Sequence, residues 1–438
     1  MRGAGPGLTA GEVVEVTIEK GVYRGLGLAR HEGQVVFVPR AFPGDRLRVR
    51  VESAGRDFAR ALALDRVEDG PGRRTAPCPS ALSCGGCAYQ ELGYGQQLAL
   101  KARVLGDCLA RAGAPWRGEI IPRASPEQGW RSRCTFHVAD APSGLRLGLR
   151  EQGSHRIVDL DHCPQLSAGM NGALREIRAA LAALPRLAGR VHGVELAESY
   201  DGKARVAALV VDLPPERAAA AVSEVGELSG LSGLGVVSVG QRPERFLPLR
   251  GEPFVTHVVA GLSFRAHVRS FFQANRHLVE PLVETVARGL PPGGRLLDLY
   301  AGIGFFALAL AAGREEVHAI EADARAAEDA RENVRAAALG QVRVRHGDVL
   351  LELQALPPCP DERIVLDPPR TGAGRAVIEA LTERRPASIV YVSCDPPTLG
   401  RDLAWFAQRG YRPASLEALD LFPDTYHLEC VVELRGGL

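Results

Sequence analysis

The chain of 438 residues carries 53 basic and 52 acidic side chains, a formal charge of +1, and nine cysteines. That length allows about three domains, and so balanced a charge excludes a uniformly basic coat, so any polyanion surface must be local. No apolar run is long enough to cross a bilayer as a helix, and the start MRGAGPGLTAGEVVEV lacks the apolar core of a leader, so a cytoplasmic protein without membrane association is expected. An odd number of cysteines without an export signal points to thiols, metal or a cluster rather than a disulfide framework.

Residues 12–67 alternate apolar and polar positions in about five short strands separated by Gly-rich turns, which predicts a small barrel. The stretch VVFVPRAFPGDRLRVRV also resembles the TRAM domain, an OB-like RNA-binding barrel. GPGRRTAP, residues 70–77, reads as a linker.

Beyond it, Cys78, Cys84 and Cys87 follow the spacing C-x5-C-x2-C in CPSALSCGGC, with Cys163 far downstream in DHCPQL. Loop-borne thiols this close together suit metal ligation, and four thiolates would satisfy either zinc or a [4Fe-4S] cluster. A helix is expected near residues 93–113, packed back onto the last third of the chain. In GWRSRCTFHV, Arg131 and Arg133 share one side of a strand, either a solvated face or an RNA contact.

From about residue 261 strands and helices alternate: RLLDLY, FFALALAA; VHAIEAD, ARAAEDARENVRAAA; VRVRHGD; RIVLDPP; SIVYVSCDPP, TLGRDLAWFAQ. This rhythm predicts a mostly parallel sheet covered on both faces, and two terminal strands without an intervening helix predict an antiparallel hairpin.

Gly302 and Gly304 stand between a buried strand and an apolar helix, where glycine permits a tight turn and close approach of a ligand. The run also satisfies G-x-G-x-x-A, so a nicotinamide enzyme is a competing reading. Glu321 ends the second strand, nineteen residues past Gly302, suited to ribose hydroxyls; Asp348 ends the third, suited to an adenine amino group; Asp367 ends the fourth. Each acid alone is equally a helix cap. Polar groups at four successive strand ends are what the crevice of an open parallel sheet requires, and the D-P-P turn with a terminal hairpin favours S-adenosylmethionine over a nicotinamide.

Cys394 ends the fifth strand at the same edge, whereas Cys359 and Cys430 read as packing residues. A thiol beside a methyl donor makes sense for C5 of a pyrimidine, because thiolate addition at C6 makes C5 nucleophilic. The C5 proton must then leave, and Glu429 in YHLECVV is the candidate base returned by the hairpin.

Taken together, FFQAN (271–275), LLDLYAGIG (296–304), LDPPRTGA (366–373), YVSCDPPTLGRD (391–402) and LFPDTYHLECVV (421–432) resemble the RNA 5-methyluridine methyltransferase family. The resemblance implies Cys394 as nucleophile, Glu429 as base, and Gln273, Tyr300, Glu321, Asp367, Asp348 and Phe305 as S-adenosylmethionine contacts. It also implies an iron–sulfur cluster on Cys78, Cys84, Cys87 and Cys163, selecting Cys163 over Cys108 or Cys134. Asp395 stands where many members have Asn, and Tyr300 and Phe305 where Phe and Asn are frequent; a carboxylate beside the thiol would raise its pKa.

The expected fold is a class I (Rossmann-like) α/β methyltransferase domain over 261–438, an OB-like TRAM β-barrel over 1–68, and a central α+β domain over 69–260. The expected reaction is C5 methylation of a uridine in structured RNA by a monomer, on 23S rRNA or, alternatively, on the thymine-loop uridine of tRNA. A nicotinamide oxidoreductase and a non-catalytic RNA-binding protein are the more distant alternatives.

Overall fold

A computed structural model describes residues 7–141, 144–184, 187, 189–222, 228–239 and 244–436. The first six residues, part of the stretch read above for a leader, lie outside the described residues. Among the described residues no helix is long and apolar enough to cross a membrane.

Strands β1 (Val13–Val22), β2 (Leu26–His31), β3 (Gln34–Pro39), β4 (Arg46–Ala54) and β5 (Phe58–Glu68) form a closed barrel in the order β1-β2-β3-β5-β4. The two-residue period of RLRVRV buries Leu47, Val49 and Val51 and exposes Arg46, Arg48 and Arg50. The stretch read as a linker is pinned rather than loose. Buried Asp45 accepts hydrogen bonds from Phe42 N at 2.6 Å and Gly70 N at 2.9 Å, and pairs with Arg73.

Helix α1 (Tyr94–Arg111) follows. The next part is a sheet with helices, from β6 (Arg133–Ala141), β7 (Gly144–Arg150), β8 (Ile157–Asp159), α2 (Ala168–Ala182), β9 (Val191–Glu198), β10 (Arg205–Val211), α3 (Pro215–Val222), β11 (Gly233–Ser238) and β12 (Arg245–Gly251). Its order is β12-β11-β10-β9-β6-β7-β8, antiparallel except for the β10–β11 pair that α3 connects. Met170, Leu174, Ile177 and Leu181 form the buried stripe of α2, and Ser167 caps its first turn by accepting from Met170 N.

Arg133 turns out not to be a solvated face. Arg133 donates to the carbonyls of Val268, at 2.8 Å, and Ser270, and the Arg131 guanidinium lies 4.9 Å from the Trp130 ring centroid.

The hairpin β13 (Phe254–Val259) and β14 (Leu262–His267) leads into α4 (Val279–Gly289), β15 (Arg295–Leu299), α5 (Phe305–Ala309), β16 (Glu316–Glu321), α6 (Ala324–Ala336), β17 (Val342–His346), α7 (Val349–Ala355), β18 (Arg363–Leu366), α8 (Arg375–Glu383), β19 (Ser388–Ser393), α9 (Pro396–Gln408), β20 (Tyr411–Leu419) and β21 (Glu429–Gly436). The sheet order is β17-β16-β15-β18-β19-β21-β20, parallel from β17 to β19, with β21 inserted antiparallel. This is the doubly wound order with terminal hairpin expected from the alternation. The order in which strands are added reverses between the parallel neighbours β15 and β18, which opens a crevice at their carboxyl ends. One face packs on α4, α5 and the β13–β14 hairpin; the other buries Leu105 and Leu109 of α1 against α9 and its neighbours.

Candidate active site

The crevice begins at the glycine turn after β15. Tyr300 has φ 63°, a left-handed conformation that a side-chain-bearing residue adopts at a cost and that tight packing must hold. Gly302 follows with φ 56°, and its N–H donates to Glu321 Oε2 at 2.8 Å, while Asp323 N donates to Oε1 at 2.7 Å. Glu321 is thereby oriented across the turn from the end of β16. Asp348 stands at the end of β17 as the N-cap of α7, accepting from Leu350 N and Leu351 N at 3.0 and 3.2 Å. The Phe305 ring is buried against Phe264, Phe272 and Phe306, among core residues.

At the end of β18, Asp367 Oδ2 accepts from Gln273 Nε2 at 3.3 Å. Gln273 is held because its loop is: buried Asn275 donates to Ser125 Oγ at 2.9 Å and to the Leu421 carbonyl at 3.0 Å. Burial pushes the Asp367 carboxyl up to about 7. Phe271, in the same loop, is 65% exposed, whereas its neighbour Phe272 is buried.

Cys394 follows β19. The D-P-P run after it is a helix start: Asp395 is the N-cap of α9, accepting from Thr398 N at 3.0 Å, with prolines in the first turn, where no N–H is needed. β21 runs antiparallel to β19 with Ser393 opposite Cys430, which brings Cys394 and Glu429, the next residue on each side, to the crevice edge. Burial, then Glu429 and Asp367, push the Cys394 thiol up to about 12, and the Arg370 guanidinium opposes that shift by its charge and then by hydrogen bonding. Burial, then Asp367, raise the Glu429 carboxyl well above its ordinary 4.5. Sequence reasoning missed Arg370, although it stands in the quoted LDPPRTGA, because nothing local tells that its side chain turns toward a thiol at the end of the next strand.

Cys78, Cys84 and Cys163 are buried and Cys87 half-buried, all as free thiols. Gln90 and Gln165 donate to Cys87 Sγ at 3.2 and 3.0 Å, and Gly86 N to Cys84 Sγ at 3.4 Å. Sulfurs that attract N–H donors suit thiolate ligands of a soft metal. Among the described residues no group of three or more Cys, His, Asp or Glu side chains converges as a single-ion site. Cys430 is fully buried, as a packing residue is.

Residues 7–64 match the TRAM domain, residues 273–384 the methyltransferase small domain, and residues 355–436 the tRNA (uracil-5-)-methyltransferase family. An uncharacterized RNA methyltransferase of Thermosynechococcus vestitus is 32% identical, over 97% of this chain and 98% of that one. The 23S rRNA (uracil(1939)-C(5))-methyltransferase RlmD of Chromohalobacter salexigens is 32% identical, over 96% of this chain and 88% of that one. The chain belongs to the RNA uracil-C5 methyltransferase family. As a uracil-C5 methyltransferase it uses S-adenosylmethionine. Its fold matches the crystal structure of the Pyrococcus abyssi tRNA (uracil-54, C5)-methyltransferase in complex with S-adenosyl-L-homocysteine, with TM-score 0.73, 25% identity, and coverage of 95% of this chain and 99% of that one. The N-terminal barrel of this methyltransferase is therefore the RNA-binding module expected from VVFVPRAFPGD.

Proposed function

We propose that this methyltransferase modifies C5 of a uridine in 23S rRNA, with Cys394 as nucleophile and Glu429 as base. The pairing of Ser393 with Cys430, which brings Cys394 and Glu429 to one edge within electrostatic reach of each other and of Asp367, carries the reading. The Cys394 thiolate adds to C6, and the C5=C6 electron pair moves to the C4 oxygen as an enolate. C5 then takes the methyl group, which S-adenosylmethionine supplies as an electrophile, leaving as S-adenosylhomocysteine. Glu429 removes the C5 proton; the released pair re-forms C5=C6 and expels the Cys394 thiolate.

Gln273, Tyr300, Gly302, Gly304, Phe305, Glu321, Asp348 and Asp367 form the wall on which the cofactor is read, Glu321 for the ribose. Asp348 is spent partly on capping α7 and Phe305 on core packing, so their share is the smaller. Exposed Phe271 suits stacking against an unstacked base at the rim.

Cys78, Cys84, Cys87 and Cys163 would hold a [4Fe-4S] cluster in a structural role, since methyl transfer needs no electron. Iron and sulfide analysis of anaerobically purified protein tests it: about four irons are expected, and stoichiometric zinc without iron refutes it. The proposed division is a barrel over 1–68, a central region over 69–260 and a catalytic region over 261–438, in a cytoplasmic monomer.

The relatives named for 23S rRNA support ribosomal RNA over tRNA, which the Pyrococcus neighbour represents as the second reading. Incubation with 5-fluorouridine-substituted 23S rRNA fragments or tRNA, with methyl donor, decides between them. A covalent complex with the rRNA fragment that Cys394→Ala abolishes is expected. Trapping only with tRNA establishes the second reading, and no trapping with either refutes the mechanism.

A further inference from the structure

The Tyr23 hydroxyl, on the barrel just after β1, donates to Asp395 Oδ2, a contact between residues 372 apart in sequence. Asp395 is buried, and its other oxygen takes Thr398 N at 3.0 Å and Thr398 Oγ1 at 2.9 Å, so tyrosine and helix together satisfy this carboxylate. The same ring stands edge-on to Tyr426, with centroids 5.5 Å apart, and Tyr426 lies against His427 at 4.3 Å. His427 in turn meets the Cys394 backbone, two residues before Glu429.

One barrel side chain thus touches both segments that carry the reacting groups. The turn that delivers it is built for close approach: a Cβ on Gly25 would fall 2.7 Å from Ala88 Cβ and 3.7 Å from Tyr426 Cδ1. Besides Tyr23 and Thr398, Asp395 is faced by Cys108 from α1 and by His427 and Cys430 from the terminal hairpin.

We infer that Tyr23 is a positioning residue for methyl transfer: by holding Asp395 it fixes the turn that aims the Cys394 thiol, making the RNA-binding barrel part of the catalytic assembly. The inference rests on the proposed role of Cys394. Asp395 is not left without a partner beside the thiol, because the barrel supplies a donor for it.

The test is a double-mutant cycle on the full-length protein with Tyr23→Phe, Asp395→Ala and both together. Steady-state kinetics, melting temperature and the rate at which iodoacetamide labels the Cys394 peptide are measured for each. Tyr23→Phe is expected to lower kcat about tenfold, the scale of one hydrogen bond to a charged group, with KM for RNA and methyl donor unchanged. Labelling of Cys394 becomes faster as its turn loosens, and adding Tyr23→Phe to Asp395→Ala costs nothing further. An unchanged kcat, a loss confined to KM for RNA, or additive losses overturns the inference.

Should Tyr23→Phe fail to fold, Asp395→Ala alone must lower kcat at constant KM, and full activity there is equally fatal. Cys394→Ala runs alongside. If it is inactive while Tyr23→Phe is normal, only the inference falls; if it still methylates, the nucleophile assignment falls and takes the inference with it.

Discussion

Lys101 Nζ lies 2.6 Å from Asp420 Oδ1, and neither side chain is exposed to solvent. The same ammonium donates to the Phe422 carbonyl at 3.0 Å, so α1 grips the turn that leads from β20 to Glu429. Burial lowers the lysine pKa while Asp420 holds it up. Lys101→Met strands a carboxylate in the interior and is expected to cost about 3–5 kcal/mol, whereas the pair Lys101→Met, Asp420→Leu recovers most of that. Urea unfolding of both variants measures the difference.

The reacting acids all shift upward, so activity and stability respond oppositely to pH. In the proposed mechanism Cys394 acts as a thiolate and Glu429 as a carboxylate, and both forms grow as pH rises; kcat/KM is expected to climb from pH 6 to 9 without an acid-side plateau near the ordinary carboxyl range. Asp367, at about 7 in the folded chain against about 3.9 unfolded, leaves the folded state holding more protons between those values. Its contribution is therefore intact below the lower value and is lost as pH rises toward 7. Asp367→Asn should flatten the fall in melting temperature over that window.

Glu429→Gln keeps the shape of the base but cannot accept the C5 proton. With a uridine substrate and methyl donor it should form a covalent RNA complex that does not resolve, visible as a slow band on denaturing gels. Rapid turnover with no such band would remove Glu429 from its role.

Glu321 offers its carboxylate at the end of β16, oriented by Gly302 N and Asp323 N. Glu321→Ala is expected to weaken S-adenosylhomocysteine about 10- to 100-fold, the range for hydrogen bonds to a charged acceptor, and to leave RNA affinity alone. Calorimetric titration reads both.

Phe271→Ala should raise KM for RNA about tenfold through lost stacking, with cofactor affinity unchanged. Equal KM values would assign the exposed ring no part in binding.

What was legible from the residues was local. Strand, turn and helix follow one another within a few residues, so the carboxyl-edge positions of Glu321, Asp367 and Cys394 could be read from spacing, and the barrel from a two-residue period. Relations spanning the chain could not. The carbonyls that occupy Arg133 come from residues 135 and 137 positions away, which is why an exposed-looking arginine proved to be structural. The same distance hid the partner of Asp395. Asp348 shows the other difficulty, since one carboxylate at a strand end can cap a helix and still border a ligand crevice.

The strand that begins with Glu429 lies between β19 and β20, yet it is the latest of the described strands in chain order. During vectorial synthesis the barrel and the parallel strands emerge first, and the strand that pairs with both β19 and β20 emerges after them. Its pairing joins β20 to the sheet and brings in the proposed base at its first residue. A ribosome-bound nascent chain stopped before residue 429 would thus carry the proposed nucleophile without the proposed base, so release of a modified base waits on the pairing of that strand.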